Sequence, residues 1–259
     1  MLAVNGITKY YDGPNGIEDI HFSCQNGEAV AVIGPNGAGK STLLRILAGV
    51  LKADAGSVTL DGCDMGAYES RRKIGYMPDQ IELARGLTVK NFLYLVSDYK
   101  YGGQFKEELE QAVVTFGLAA YRNKAFHKLS MGNRKKTAMI AAFLGNPRLI
   151  ILDEPTNGLD PAGIQEMREL IRTLPSDYGI TVVVSSHLLS EIDQMADHVG
   201  IIRKGELVYQ DTLEALHSHA RQQIALRTGQ PASVISLLRR EGIEVEKEED
   251  YLLIPMLED

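Results

Sequence analysis

The stretch GPNGAGKS, Gly34 to Ser41, constrains this chain more than any other. It satisfies the pattern G-x-x-x-x-G-K-[ST]. Its glycines let successive backbone N–H groups wrap a string of phosphates, and the following helix points its positive end at them. Such a loop works only between a buried strand and a helix, and both flanks are present. AVAVI (29–33) is an unbroken apolar run, as a strand covered on both faces requires. From Lys40 onward, Leu43, Leu44, Leu47 and Ala48 recur at helical spacing. In that setting Lys40 reaches the β- and γ-phosphates and the Ser41 hydroxyl is a ligand for Mg²⁺. A plain Gly-rich turn needs neither residue, and a dinucleotide fingerprint has no role for Lys40 and Ser41.

The rest of the chain alternates in the same style. GSVTLDG (56–62) reads as a strand closed by an Asp-Gly turn, and KIGYMPD as another short strand. Residues 88–145 look helical almost throughout. RLIILD (148–153) and ITVVVSS (180–186) are further buried strands. PAGIQEMRELIRTL is a helix with Pro in its first turn, HLLSEIDQMA a second helix, and HVGIIRKGELVYQ a hairpin around Lys204-Gly205. The pattern predicts an α/β core of the P-loop NTPase kind over 1–216, with a helical subdomain at about 88–145 inserted in it. Beyond Leu216 the pattern changes to a strand, a helix and two strands. Residues 217–259 are therefore expected to form a small C-terminal α+β appendage.

The chain of 259 residues is 44% hydrophobic, enough for a full core, and carries a net charge of −7. An acidic chain is a poor non-specific binder of nucleic acid or anionic lipid, so no nucleic-acid partner is expected. Cys24 and Cys63 lack metal-ligand spacing and read as reduced thiols. The first residues hold no apolar leader, and the apolar runs are strand-length, far short of a membrane span. A cytoplasmic protein is expected, one that reaches a membrane only through a partner. Arg71, Arg72 and Lys73 read as a solvated face, Met139 and Met167 as core, and EKEED (246–250) as a charged turn.

Three more motifs carry chemistry. LIILDEP ends a buried strand with Asp153 and Glu154; the first can hold Mg²⁺ through water, and the second can act as general base toward an attacking water. SSHLLSE puts His187 beyond the carboxyl end of another buried strand, where open α/β sheets bind ligands. LSMGNRKK (129–136) starts a helix with Ser130 as a good cap. Gly132 in its first turn, and Arg134, Lys135 and Lys136 near its positive end, are poor choices for helix stability.

The order phosphate loop, LS-x-G, LIILDEP, NGLDP, SSH resembles the ATP-binding subunit of ABC transporters over roughly residues 2 to 215. The resemblance implies that Tyr11 stacks on adenine and that Gly34, Asn36, Gly37, Gly39, Lys40, Ser41 and Thr42 cradle the nucleotide. It implies that Ser130 and Gly132 contact the γ-phosphate held by the opposite subunit of a head-to-tail dimer around two ATP molecules. Asp153 becomes the Mg²⁺ aspartate, Glu154 the catalytic glutamate and His187 the switch histidine; Gly158, Leu159 and Asp160 form the loop that communicates across the dimer. The chain departs from the family pattern twice. Met131 and Asn133 replace a Gly and a Gln of the signature, and Asp79 stands where a Mg²⁺-sensing Gln is usual, with Gln80 one place later.

SSHLLSEIDQMADHVGIIRKGELV resembles the exporter-like subclass whose ATPase and membrane permease are separate chains. The resemblance thus implies ATP and Mg²⁺ as cofactors, an integral-membrane permease as partner, and a second copy or a related subunit as the other half of the dimer. It places the protein on the inner face of the cell membrane. The alternative is a soluble ABC ATPase of the translation or DNA-repair type. Translation factors usually carry two such domains in one chain, and the repair relatives a long coiled coil that 88–145 is too short to supply. A small P-loop kinase would not need the signature, DEPTNGLD and the His together.

Overall fold

The computed structural model describes residues 1–11, 16–219, 223–248 and 251–255. Before the phosphate loop lie two strands that the sequence pattern does not mark, β1 (Leu2–Tyr10) and β2 (Gly16–Cys24). Their antiparallel register shifts between Val4 and Ile7, where Gly6 has φ +60°, so strict alternation is broken. Then follow β3 (Ala29–Ile33), α1 (Lys40–Leu47), β4 (Ala55–Leu60), β5 (Cys63–Asp64), α2 (Tyr68–Arg72) and β6 (Ile74–Met77). The helical block contains α3 (Val89–Tyr101), α4 (Lys106–Thr115) and α5 (Met131–Phe143). The core resumes with β7 (Leu149–Leu152), α6 (Pro161–Tyr178), β8 (Thr181–Ser186), α7 (Leu189–Ile192), β9 (His198–Arg203) and β10 (Glu206–Thr212). A helix, α8, spans Leu213–His219.

The central sheet has the order β10-β9-β3-β8-β7-β6. From β9 to β6 its neighbours are parallel. Ile33 pairs with Ser186, Leu152 with Val184, and Met77 with Leu152. The phosphate loop, Asp153-Glu154, His187 and Asp79 therefore all leave the sheet at one edge, the carboxyl edge at which ligands bind. A second, antiparallel sheet has the order β2-β1-β4-β5. Between the two sheets α1 buries Leu43, Leu44 and Leu47 against Ile7, Ile20, Val30, Val32 and Val183, so the helix that starts at Lys40 is anchored on its apolar face.

The helical block has its own core of Leu93, Leu109, Val113, Phe126, Leu129 and Ile140. Met139 and Met167 are buried, Cys24 is a buried free thiol and Cys63 an exposed one. Two sequence expectations change. The helix expected over HLLSEIDQMA is one turn, Leu189–Ile192; beyond it the chain tightens, Gln194 N–H bonding Glu191 O and Met195 N–H bonding Ile192 O. Of EKEED, Glu246–Glu248 is a strand that pairs with a later one, not a turn, and residues 249–250 lie outside the described residues.

The chain divides into two compact units, Met1–Leu213 and Glu214–Asp259. This division falls just inside α8, three residues ahead of the break expected at 216/217. Within the second unit are β11 (Gln223–Leu226), α9 (Pro231–Arg240), β12 (Glu246–Glu248) and β13 (Tyr251–Pro255), the sheet order being β11-β13-β12.

Candidate active site

Gly39 precedes α1 with φ +112°, and a Cβ there would lie 2.4 Å from Ile17 Cγ2, so only glycine closes this turn. The turn delivers Lys40 and Ser41 to the floor of a cleft of about 760 Å³. Tyr11, Asn36, Gly37, Gly39, Thr42, Asp79, Glu154, Asn157 and His187 line it as well. Lys40 is 6% exposed; its Nζ donates to Gly34 O at 2.8 Å and lies 3.4 Å from Glu154 Oε1. Tyr11 is exposed at the rim, at the last residue before the undescribed 12–15.

The Asp153-Glu154 pair is held by its neighbours in the sheet. Asp153 Oδ1 accepts from Ser185 Oγ at 2.8 Å and from Ser41 Oγ at 3.1 Å. Burial pushes the Asp153 carboxyl above the ordinary aspartate range, although both hydroxyls pull it back. Glu154 has φ +48°, a conformation that costs a residue with a side chain roughly 1–3 kcal/mol. Its N–H donates to Ser185 Oγ at 2.9 Å and its carbonyl accepts from Lys135 Nζ at 2.5 Å. Turned this way, Glu154 puts one carboxylate oxygen 3.4 Å from Lys40 and the other 3.0 Å from His187 Nδ1.

Of the two neighbours at the Mg²⁺-sensing position, Asp79 lines the cleft and accepts from Asn157 Nδ2 at 3.3 Å; Gln80 is exposed and does not line it. The oxygens present suit a small hard cation. Ser41 and Asp153 are adjacent, and the raised Asp153 carboxyl is a buried charge that a cation would compensate. Among the described residues no group of three or more His, Cys, Asp or Glu forms a metal cluster. A cation held by Ser41 and Asp153 would need further oxygen ligands.

The signature segment stands apart. Ser130 caps α5, its Oγ accepting from Asn133 N–H at 3.4 Å, and neither Ser130 nor Gly132 lines the cleft. Gly132 instead borders an apolar groove with Leu159 and Met167. Asp160 is exposed, caps α6 by accepting from Gly163 N–H at 3.1 Å, and is likewise outside the cleft. Leu159 and Gly158 pack on Gly132 and Met131, so the loop and the signature form one surface.

Lys135, Ser185 and Asn157 are site neighbours that the motifs do not single out. A signal for Lys135 exists: Lys135, Ala138, Met139 and Ala142 follow helical spacing, and all four are buried.

Comparisons with known proteins show the family. A family model described as ABC transporter matches residues 17–157. The bacitracin transport ATP-binding protein BcrA of Bacillus licheniformis is 32% identical over 242 residues, covering 93% of this chain and 79% of that protein. The lantibiotic transport ATP-binding protein SrtF of Streptococcus pyogenes is 33% identical over 208 residues, 80% of this chain and 89% of its own. A bacterial ABC transporter cassette solved as a dimer superposes with a TM-score of 0.75 at 26% identity, over 82% of this chain and 99% of that one. Its post-hydrolysis state, bound to ADP and Pi, gives 0.74 at 26% identity over the same shares. No described helix is long and apolar enough to cross a membrane. The chain belongs to the ABC transporter family, as an ATP-binding subunit that hydrolyses ATP.

Proposed function

We propose that two such subunits close around two ATP molecules and drive a separate integral-membrane permease in an exporter. The observation that carries this reading is a site in two pieces. Lys40, Ser41, Glu154 and His187 share one cleft, while Ser130 and Gly132 lie outside it on a surface of their own. The names of two relatives, a bacitracin and a lantibiotic transport ATP-binding protein, support a transport role.

Backbone N–H groups of 36–41 and Lys40 hold the phosphates, and Tyr11 stacks on the adenine. Ser41 and Asp153 would hold Mg²⁺, with Asp79 a further oxygen facing the same space; the cation supplies charge neutralisation on the phosphates. Glu154 takes a proton from a water as that water's oxygen attacks the γ-phosphorus, and the bond to the β–γ bridging oxygen breaks, leaving ADP and phosphate. His187, bonded to Glu154, orients the carboxylate and the γ-phosphate. Ser130 and Gly132 of the other subunit grip the same γ-phosphate, while Asp160 and its loop sense that contact. The γ-phosphate thus bridges two chains, and its loss reopens the dimer. The subunit works at the cytoplasmic face, held there by the permease.

The test is purification of tagged Glu154→Gln protein from detergent-solubilised cells with Mg·ATP. An integral-membrane protein in near-equal amount is the expected result. Ribosomes, nucleic acid or a soluble partner without a membrane protein would refute the transport reading.

A further inference from the structure

Lys135 is the one cation of the signature helix that solvent does not reach. It is 1% exposed, whereas Arg134 and Lys136 are partly open. Burying an ammonium is expensive unless it is paired and hydrogen-bonded. Its neighbours show where the compensation lies. Nζ donates to the main-chain carbonyl of Glu154 at 2.5 Å, and Asp79 Oδ1 is 4.0 Å away. The carboxylates of Glu154, Asp153 and Glu191 also face it, while burial itself pulls the ammonium below the ordinary lysine range.

The partner of this bond is the peptide that carries the strained φ of Glu154. Ser185 clamps that residue through its N–H and Lys135 through its carbonyl. Rotating the peptide out of this conformation would swing the carboxylate away from Lys40 and His187, at 3.4 and 3.0 Å. Lys135 also sits five residues after Ser130 on the same helix, so a pull on the signature end of α5 reaches Glu154 through a single side chain.

We propose that Lys135 is a positioning residue for hydrolysis: it holds Glu154 in its left-handed conformation and ties that conformation to the signature helix and to Asp79. The proposal rests on Glu154 being the general base. Lys135 does not line the nucleotide cleft; it acts through the Glu154 backbone.

The experiment is a double-mutant cycle on the full chain, with steady-state and single-turnover ATP hydrolysis, nucleotide binding and thermal melting measured together. Lys135→Met keeps the length of the side chain and removes the donor. It is expected to lower kcat about 10- to 100-fold, as a small misplacement of a catalytic group does. KM for ATP should stay within about twofold, the signature of a transition-state loss. Lys135→Gln restores a neutral donor and should recover part of kcat. In the Glu154→Gln background, Lys135→Met should add little further loss, because the group it positions is already gone. Wild-type kcat in Lys135→Met would overturn the proposal. So would its full loss repeated in the Glu154→Gln background, or a loss in both Lys135 variants that tracks falling melting temperature and nucleotide binding. Wild-type turnover in Glu154→Gln alone would remove the general base itself, a result readable separately from the Lys135 variants.

Discussion

At Gly39 an added methyl group would strike Ile17 Cγ2 at 2.4 Å, on a backbone with φ +112°; at Gly132 the same methyl would meet only Leu159 Cδ2, at 3.7 Å. Each glycine belongs to a motif that leads into a helix, yet only the first is required by its own chain. The surroundings repeat the contrast. Around the phosphate loop the polar groups are satisfied internally, Lys40 by Gly34 O and Glu154, and Ser41 by Asp153. At the signature, Met131 is 47% exposed and the Ser130 hydroxyl makes a long cap bond, at 3.4 Å. On the proposed dimer, a glycine with no steric reason inside its own chain would leave room for the γ-phosphate of a second subunit.

This contrast can be broken by substitution. The largest effect is expected from Glu154→Gln, which should lower turnover by roughly 10²- to 10⁴-fold, the usual weight of a general base, while ATP binding persists. Radiolabelled single-turnover assays measure it, and unchanged turnover would dismiss Glu154 as the base. Next comes Lys40→Ala, which removes a charged phosphate contact and should weaken nucleotide affinity about 10- to 100-fold, as loss of a charged hydrogen bond does. Equilibrium binding of a fluorescent ATP analogue reads this directly, and unchanged affinity would remove Lys40 from the phosphates.

Gly39→Ala should lower both the melting temperature and nucleotide affinity of the isolated subunit. Gly132→Ala should stabilise that subunit by up to about 1 kcal/mol, the helix preference of Ala over Gly, yet reduce ATP turnover. Calorimetry beside an ATPase assay separates the two, and full activity in Gly132→Ala would show that nothing approaches that surface. The smallest effect concerns Asp79 and Gln80. Asp79→Asn should shift the Mg²⁺ concentration needed for half-maximal turnover severalfold, an estimate on the scale of losing one carboxylate ligand, and Gln80→Ala should leave it in place. A magnesium titration decides, and the reverse outcome would reassign the position.

How much of this the sequence displays follows from the physics of each segment. Buried parallel strands announce themselves as apolar runs, and AVAVI, LIIL and TVVVSS all lie within three residues of where the pattern puts them. The strand β1 hides because its bulge near Gly6 interrupts alternation, and in β2 Asp19, at φ +47°, breaks the alternation between buried Ile17 and Ile20. The short α7 could not be foreseen, because its length is set by tertiary contacts. Thr156 and Ser186 donate to Glu191 Oε2, each at 2.9 Å, and hold the turn in place.

At the site, the motif residues are legible because each is chemistry at fixed spacing. Their conformations are not. Nothing in LIILDEP reports that Glu154 takes φ +48°, nor that a lysine from the signature lies behind it. The three signature cations, which look unfavourable near a helix N-terminus, are each compensated by a different partner. Arg134 donates to His127 O at 2.6 Å, Lys135 to Glu154 O, and Lys136 pairs with Glu166 at 2.6 Å. Local propensity marks the conflict at this segment, and tertiary structure resolves it.

On the proposed reading each ATP site is completed by the signature of another subunit, and mixing two inactive variants shows whether it is. Lys40→Ala and Ser130→Arg are each expected to abolish hydrolysis alone. Combined as purified proteins with Mg·ATP, they can form a dimer in which one site has an intact phosphate loop from one chain and an intact signature from the other. Recovery of up to about a quarter of wild-type turnover is expected at equal mixing, since half of randomly paired dimers would hold one such site of two. No recovery at any ratio, with both variants still associating in ATP, would contradict it and place the whole site within one chain.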